Sequence, residues 1–181
     1  MTPTTETLLR LAEDCGFDHA APLCVSALHF DPAVREMCAA DRCRSYGKNW
    51  CCPPACGSLE DFARKAAAYH RGILLQSTGQ LEDDFDADAM MTTERLQKER
   101  FFRFAEALRP LCPDCMPLSS GACSVCERCT CPDAPCRFPE KAFPSMEAAG
   151  LLVSQVCRDS GLPYYYGPLT ITYTACVLVG D

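Results

Sequence analysis

Alternating apolar and polar residues mark the clearest element of the chain, an extended stretch near its C-terminal end. Residues 169–179 read LTITYTACVLV and alternate with a period of two, the spacing that puts successive side chains on opposite faces of a β-strand. Shorter apolar runs at 22–29, 73–75 and 115–120 predict three further strands.

Apolar residues three or four positions apart predict helices along the same sequence. The predicted helices span 5–15, 58–71, about 92–109 and 144–158. Because these helices alternate with the strands, we predict one α/β or α+β domain over residues 1–181, with an about four-stranded, mixed or mainly parallel sheet and helices packed on it.

Length and charge restrict the class of protein. A chain of 181 residues buries roughly 70% of its unfolded surface, enough for one core. There is no apolar run long enough for a membrane span, and the start MTPTTE lacks the features of a signal peptide, so we expect a cytoplasmic protein. The net charge of −7 argues against nucleic acid as a partner, since phosphate binding needs a basic stripe.

Cysteine is the residue type that points to chemistry. The chain has 16 cysteines, and twelve of them lie in two stretches, 38–56 and 112–136. In the reducing cytoplasm such residues are thiols rather than disulfides. Thiolates at this density usually hold metal, so both stretches are predicted metal-binding loops.

The later stretch has the spacing of an iron–sulfur site. Cys123, Cys126 and Cys129 are separated by two residues each, which suits three corners of an iron–sulfur cube, and a less local cysteine closes it. Cys136 is the predicted fourth ligand. This set predicts a cluster, most simply of the 4Fe–4S type, and leaves Cys131 over.

Zinc is the alternative for the same residues. Its usual sequence form is two separate Cys-x2-Cys pairs some distance apart. A continuous triple suits zinc less well, because a zinc site built here leaves a thiolate beside the metal. The zinc interpretation nevertheless stays open at this point.

The earlier stretch is a candidate for a second metal centre. Its predicted ligands are Cys38, Cys43, Cys52 and possibly Cys56. Gly47 and the pair Pro53-Pro54 force an irregular backbone, as ligand loops require. Cys52 is preferred to its neighbour Cys51, since adjacent side chains point different ways. The alternative is that these cysteines are packing residues, because free cysteine is a small and often buried hydrophobe.

Three further side chains are candidates for contact with a cofactor: Tyr46, Trp50 and Arg137. Trp50 offers an apolar wall that would shield a centre from water. Arg137 follows a predicted ligand directly, so it could donate hydrogen bonds to cluster sulfurs or to an anion, or else form a surface ion pair.

Three motifs resemble a known family. They are Cys43-x2-Tyr-Gly-Lys-Asn-Trp-Cys-Cys-Pro-Pro54, Gly121-Ala-Cys-x2-Cys-x2-Cys129 and Pro135-Cys-Arg-Phe-Pro-Glu-Lys-Ala-Phe-Pro-Ser-Met-Glu-Ala148. They resemble the prokaryotic family of predicted metal-binding proteins called domain of unknown function 2284 (DUF2284). The resemblance implies a small, cysteine-rich cytoplasmic protein with metal or iron–sulfur binding. This chain departs from the pattern by extra thiols at Cys112, Cys115 and Cys131, and by Ala142-Phe143 where the family more often has an arginine.

Two functions follow from these observations. The first is an iron–sulfur protein that acts as a one-electron redox module for a partner protein. The second is a structural zinc protein whose metal fixes loops that present an interaction surface. The sequence has no phosphate loop and no dinucleotide glycine pattern, so a second substrate site is not indicated, and whether the protein is an enzyme is left open.

Overall fold

A four-stranded sheet forms the centre of the computed structural model of the protein, which describes residues 3–180. Its strands are β1 (His19–Pro22), β2 (Arg71–Gln80), β3 (Cys115–Leu118) and β4 (Thr170–Val179). They lie side by side in the order β1-β2-β4-β3, and each neighbouring pair is antiparallel. The number of strands is confirmed.

Residues 3–180 also form five α-helices. They are α1 (Thr5–Asp14), α2 (Pro32–Ala39), α3 (Leu59–Ala66), α4 (Ala87–Leu108) and α5 (Val153–Asp159), with short 3₁₀ turns at Val25–Ala27 and Pro139–Lys141. Ser58 caps α3, because its hydroxyl accepts the N–H of Asp61 while the Asp61 carboxylate accepts the N–H of Ser58, a capping box. The protein is thus an α+β domain, as predicted.

The predicted direction of the strands was wrong, because the sheet is neither mixed nor mainly parallel. Strands β2 and β3 do run parallel to each other, as a strand–helix–strand unit through α4 predicts. They are not neighbours, however, since β4 lies between them and pairs antiparallel with both. The periodicity of a sequence does not show where a later strand will be inserted.

Two hydrophobic cores lie on the two faces of the sheet. Ile73 and Leu75 of β2 pack with residues of α1 and α4 on one face. Leu74 lies between them in sequence and packs with residues of α3 and α5 on the opposite face. This alternation follows the period of a strand, and it gives a layered arrangement of helices, sheet and helices.

Two predicted elements differ in the structure. Residues 22–29 were predicted as a strand, but β1 ends at Pro22 and a 3₁₀ turn follows. Residues 144–158 were predicted as one helix, but only Val153–Asp159 is helical. Before it, the Ser145 hydroxyl accepts the N–H of Ala148, and such local bonding favours turns over helix.

The polypeptide is closed at the base of the later cysteine-rich stretch. The N–H of Ser119 donates to the carbonyl of Pro144 at 2.8 Å, and the N–H of Met146 donates to the carbonyl of Ser119 at 3.0 Å. These bonds hold both ends of the segment 120–143 beside the end of β3. Across residues 3–180, no helix is long and apolar enough to cross a membrane.

Candidate metal centre

Two cysteine-rich loops lie against each other at one side of the sheet. We call residues 38–56 the first thiol loop and residues 121–136 the second thiol loop. Asn49 donates from Nδ2 to the carbonyl of Cys123 at 2.9 Å, and Trp50 donates from Nε1 to the carbonyl of Ala134 at 3.0 Å. The two stretches therefore form one structural unit.

Asn49 also shapes its own loop. Its Oδ1 accepts the N–H of Cys51 at 2.9 Å, and only 7% of the residue is exposed. One buried amide thus satisfies a donor in the first thiol loop and an acceptor in the second. Buried polar groups need such partners, which explains an asparagine at this position.

Helix α4 fixes the start of the second thiol loop. Lys98 donates from Nζ to the carbonyl of Ala122 at 2.9 Å and forms an ion pair with Glu94 at 2.6 Å. The Lys98 side chain is only 14% exposed, so the contact is shielded from solvent. The backbone just before Cys123 is therefore anchored to the rigid part of the fold.

The first thiol cluster lies where the two loops meet. Its five cysteines line one narrow cavity of ≈20 Å³: Cys51, Cys123, Cys126, Cys129 and Cys136. Four of them are the predicted ligands of the iron–sulfur cluster, which the fold does bring together. The fifth, Cys51, was predicted to face away from a metal.

Cys51 and Cys123 shift each other's pKa. The neighbouring Cys51 thiol lowers the pKa of Cys123 to about 6, with further help from the backbone N–H of Val125 and the charge of Lys98. The neighbouring Cys123, together with burial, raises the pKa of Cys51. Cys123 is thus favoured as a thiolate, the form that binds metal.

The second thiol cluster lies on the other side of the first thiol loop. Cys38, Cys43, Cys52 and Glu147 line a pocket of ≈320 Å³. Most other lining side chains are apolar, among them Val34, Met37, Pro53 and Ala148. Cys51 and Cys52 therefore each face a cluster, although only one of them was expected to face a metal.

Cys56 is near this cluster but does not line the pocket. Arg35 of α2 donates from Nη1 to the Cys56 sulfur at 3.3 Å, and the thiol lies 3.8 Å from the carbonyl of Ala148. Arg35 also donates to the carbonyls of Ala148 and Gly57. The predicted fourth ligand of the second centre therefore has other partners in the structure.

Burial and repulsion from neighbouring groups keep the Cys38 and Cys52 thiols of the second cluster protonated. Burial, followed by the neighbouring Cys43, raises the pKa of Cys52 to about 12. Burial, followed by Glu147 and Cys43, raises the pKa of Cys38. A bound cation reverses this preference, because it stabilises each thiolate directly.

Glu147 is the residue that the sequence interpretation missed. Burial raises the pKa of its carboxyl, and its Oε2 is buried without a hydrogen-bond partner. The only signal in the sequence was its place in the motif Pro144-Ser-Met-Glu147. Nothing in that motif indicates that Glu147 lines the same pocket as Cys38, which is more than a hundred residues away in sequence.

The remaining candidates lie around both clusters. Trp50 and Arg137 line the cavity of the first cluster, and Tyr46 lines the pocket of the second. Arg137 donates to the carbonyl of Arg128 at 2.9 Å, and it has no ion pair among the described residues. Cys131 is buried outside the cavity, with its thiol 3.8 Å from the carbonyl of Gly47.

The thiols do not form a ready-made site for a single metal ion within the described residues. Among residues 3–180, no three His, Cys, Asp or Glu side chains are arranged to hold one metal ion. All 16 cysteines are free thiols.

The comparison with known families agrees with this arrangement. The pattern of a family described as predicted metal-binding proteins, DUF2284, matches residues 21–179. The chain therefore belongs to that family, and the description supports metal binding. No curated protein and no solved structure matches the chain.

Proposed function

We propose that the protein is an iron–sulfur protein that passes single electrons to or from a partner protein. The observation that carries the proposal is the first thiol cluster, in which five cysteines from two loops line one cavity. A cube-shaped cluster needs four thiolates. The donor set therefore suffices, with one thiol to spare.

Cys123, Cys126, Cys129 and Cys136 are the proposed ligands, and Cys51 has a different role. Its thiol lines the same cavity as Cys123, where a hydrogen bond to that ligand sulfur would adjust the reduction potential of a cluster. Trp50 lines the cavity, and its ring would limit the access of water to a bound cluster. The cluster itself would supply reversible one-electron transfer.

A partner is part of this proposal. The sequence has no recognisable site for a nucleotide or a flavin, so electrons must come from another protein. The net charge of −7 favours a partner with a basic docking face. Such an association weakens as salt rises, because the Debye length falls below about 10 Å. We place the protein in the reducing cytoplasm, where its thiols persist.

Anaerobic purification tests the proposal. We expect iron and acid-labile sulfide in equal amounts, a brown colour with a band near roughly 400 nm that dithionite bleaches, and a potential between roughly −700 and +450 mV. A colourless protein with stoichiometric zinc would overturn the redox function. It would leave the alternative, a structural zinc protein that presents an interaction surface.

A further inference from the structure

We propose that Glu147 is a metal ligand, so that Cys38, Cys43, Cys52 and Glu147 hold a second iron–sulfur cluster while Cys56 stays outside it. This inference rests on the proposed function, because it takes iron–sulfur chemistry as given. It differs from the sequence prediction for this loop, in which all four ligands were cysteines.

The shape of the pocket is the first argument. Three thiols and one carboxyl group line the same ≈320 Å³ space, which has ample room for a polynuclear centre. The rest of the lining mixes apolar side chains such as Val34, Met37 and Pro53 with the polar Arg42, Tyr46 and Ser145. The thiols and the carboxyl group are the side chains of this lining best suited to a metal.

The carboxyl group of Glu147 is the second argument. Its Oε2 is buried and has no hydrogen-bond partner, and Glu147 takes part in none of the ion pairs formed within residues 3–180. A buried carboxylate without a partner is costly, and pairing with a cation or coordination of a metal removes that cost. A metal ion in the pocket would supply the missing charge.

The environment of Cys56 is the third argument. Its sulfur receives a hydrogen bond from Arg35 at 3.3 Å, and Arg35 is held in place by two backbone carbonyls. Metal binding by Cys56 would break this contact and leave a cation beside the centre. Glu147 can bind without any such loss.

The nature of this ligand has a chemical consequence. A carboxylate oxygen is a harder donor than a thiolate and suits iron in a cluster less well. The iron at Glu147 should therefore be the most weakly held of its cluster. Because it borders the open pocket, it is the position at which an external ligand could exchange.

The test counts iron in the full-length chain with the first centre removed. In a Cys126→Ala background, we expect iron and sulfide from the second centre alone, with about a quarter of the iron released rapidly by a chelator. In the same background, Glu147→Gln should lack this rapidly released iron from the start. Glu147→Cys should hold the same iron at least about tenfold longer than the background does, which would also show that the variant folds.

Two variants serve as matched controls. Cys56→Ser and Glu140→Gln, which changes an exposed glutamate of the same region, should both behave as the background does. Equal iron content and release in Glu147→Gln and the background would overturn the inference, as would loss of iron from Cys56→Ser. The inference would also be overturned if the unchanged protein contained acid-labile sulfide and the Cys126→Ala protein contained none. A parent without any sulfide would instead refute the proposed function.

Discussion

Replacing Asn49 by alanine should separate the two thiol loops. The change removes two buried hydrogen bonds, from Asn49 to the carbonyl of Cys123 and from the N–H of Cys51 to Asn49, both 2.9 Å long. Each buried group left without a partner costs about 1–3 kcal/mol. The two losses together should therefore cost about 2–6 kcal/mol, the first of them directly in the contact between the loops.

That loss sets an upper limit on the change in metal affinity. Separation of the loops in the metal-free protein competes with metal binding, and every 1.4 kcal/mol of lost loop contact raises the apparent dissociation constant about tenfold. We expect Asn49→Ala to bind metal up to roughly 30- to 20,000-fold more weakly. Competition with a coloured chelator measures this ratio, and thermal unfolding of the metal-free protein measures the structural cost independently.

Two further variants make the result specific. Asn49→Asp keeps the acceptor for Cys51 and loses the donor to Cys123, so its affinity should fall between the parent and Asn49→Ala. Lys48→Ala removes an ion pair to Asp41 of 3.5 Å in which the lysine side chain is 67% exposed, which should cost less than about 1 kcal/mol. If Asn49→Ala and Lys48→Ala bind metal equally well, Asn49 does not hold the loops together.

Three other predictions concern ligands, packing and pH. Cys126→Ala should lose the metal of the first centre, and full metal content by elemental analysis would show that this assignment is wrong. Phe101 is fully buried against the sheet, so Phe101→Ala should lower the free energy of unfolding by about 3–5 kcal/mol. A urea titration that shows a loss of less than about 1 kcal/mol would contradict this packing role. The pKa of Cys52 rises from 9.0 to about 12 on folding, so the folded metal-free protein binds the Cys52 thiol proton more tightly than the unfolded chain does. The protonated thiol therefore stabilises the fold fully below pH 9, and this stabilisation is lost as the pH rises to about 12. Cys52→Ser should lessen the fall in thermal midpoint over that range, and an unchanged fall would speak against it.

Periodicity predicted the parts of the fold that rest on local patterns. The alternation in 169–179 became β4, and the helical spacing of Phe101 and Phe104 became the buried face of α4. The antiparallel sheet could not be predicted in the same way, because β4 enters between β2 and β3 from the far end of the sequence. Such long-range pairing leaves no trace in the local pattern.

The candidate site shows the same division. Spacing alone grouped Cys123, Cys126 and Cys129, which share one short loop and line one cavity in the structure. Glu147 could not be found by spacing, because the turn after Met146 carries it to the distant Cys38. Which of Cys51 and Cys52 faces which cluster depends on the backbone fixed by Asn49, and a pair of adjacent cysteines does not reveal that direction.

The position of Cys51 and Cys52 has a consequence for how two centres would behave. One residue faces the first cluster and the next faces the second, and consecutive Cα atoms are only about 3.8 Å apart. Two paramagnetic centres that flank this one peptide unit would lie close enough to interact magnetically, so that their resonance spectra would split instead of adding. The protein would then store electrons as a coupled pair, and a partner that reached either centre would draw on both.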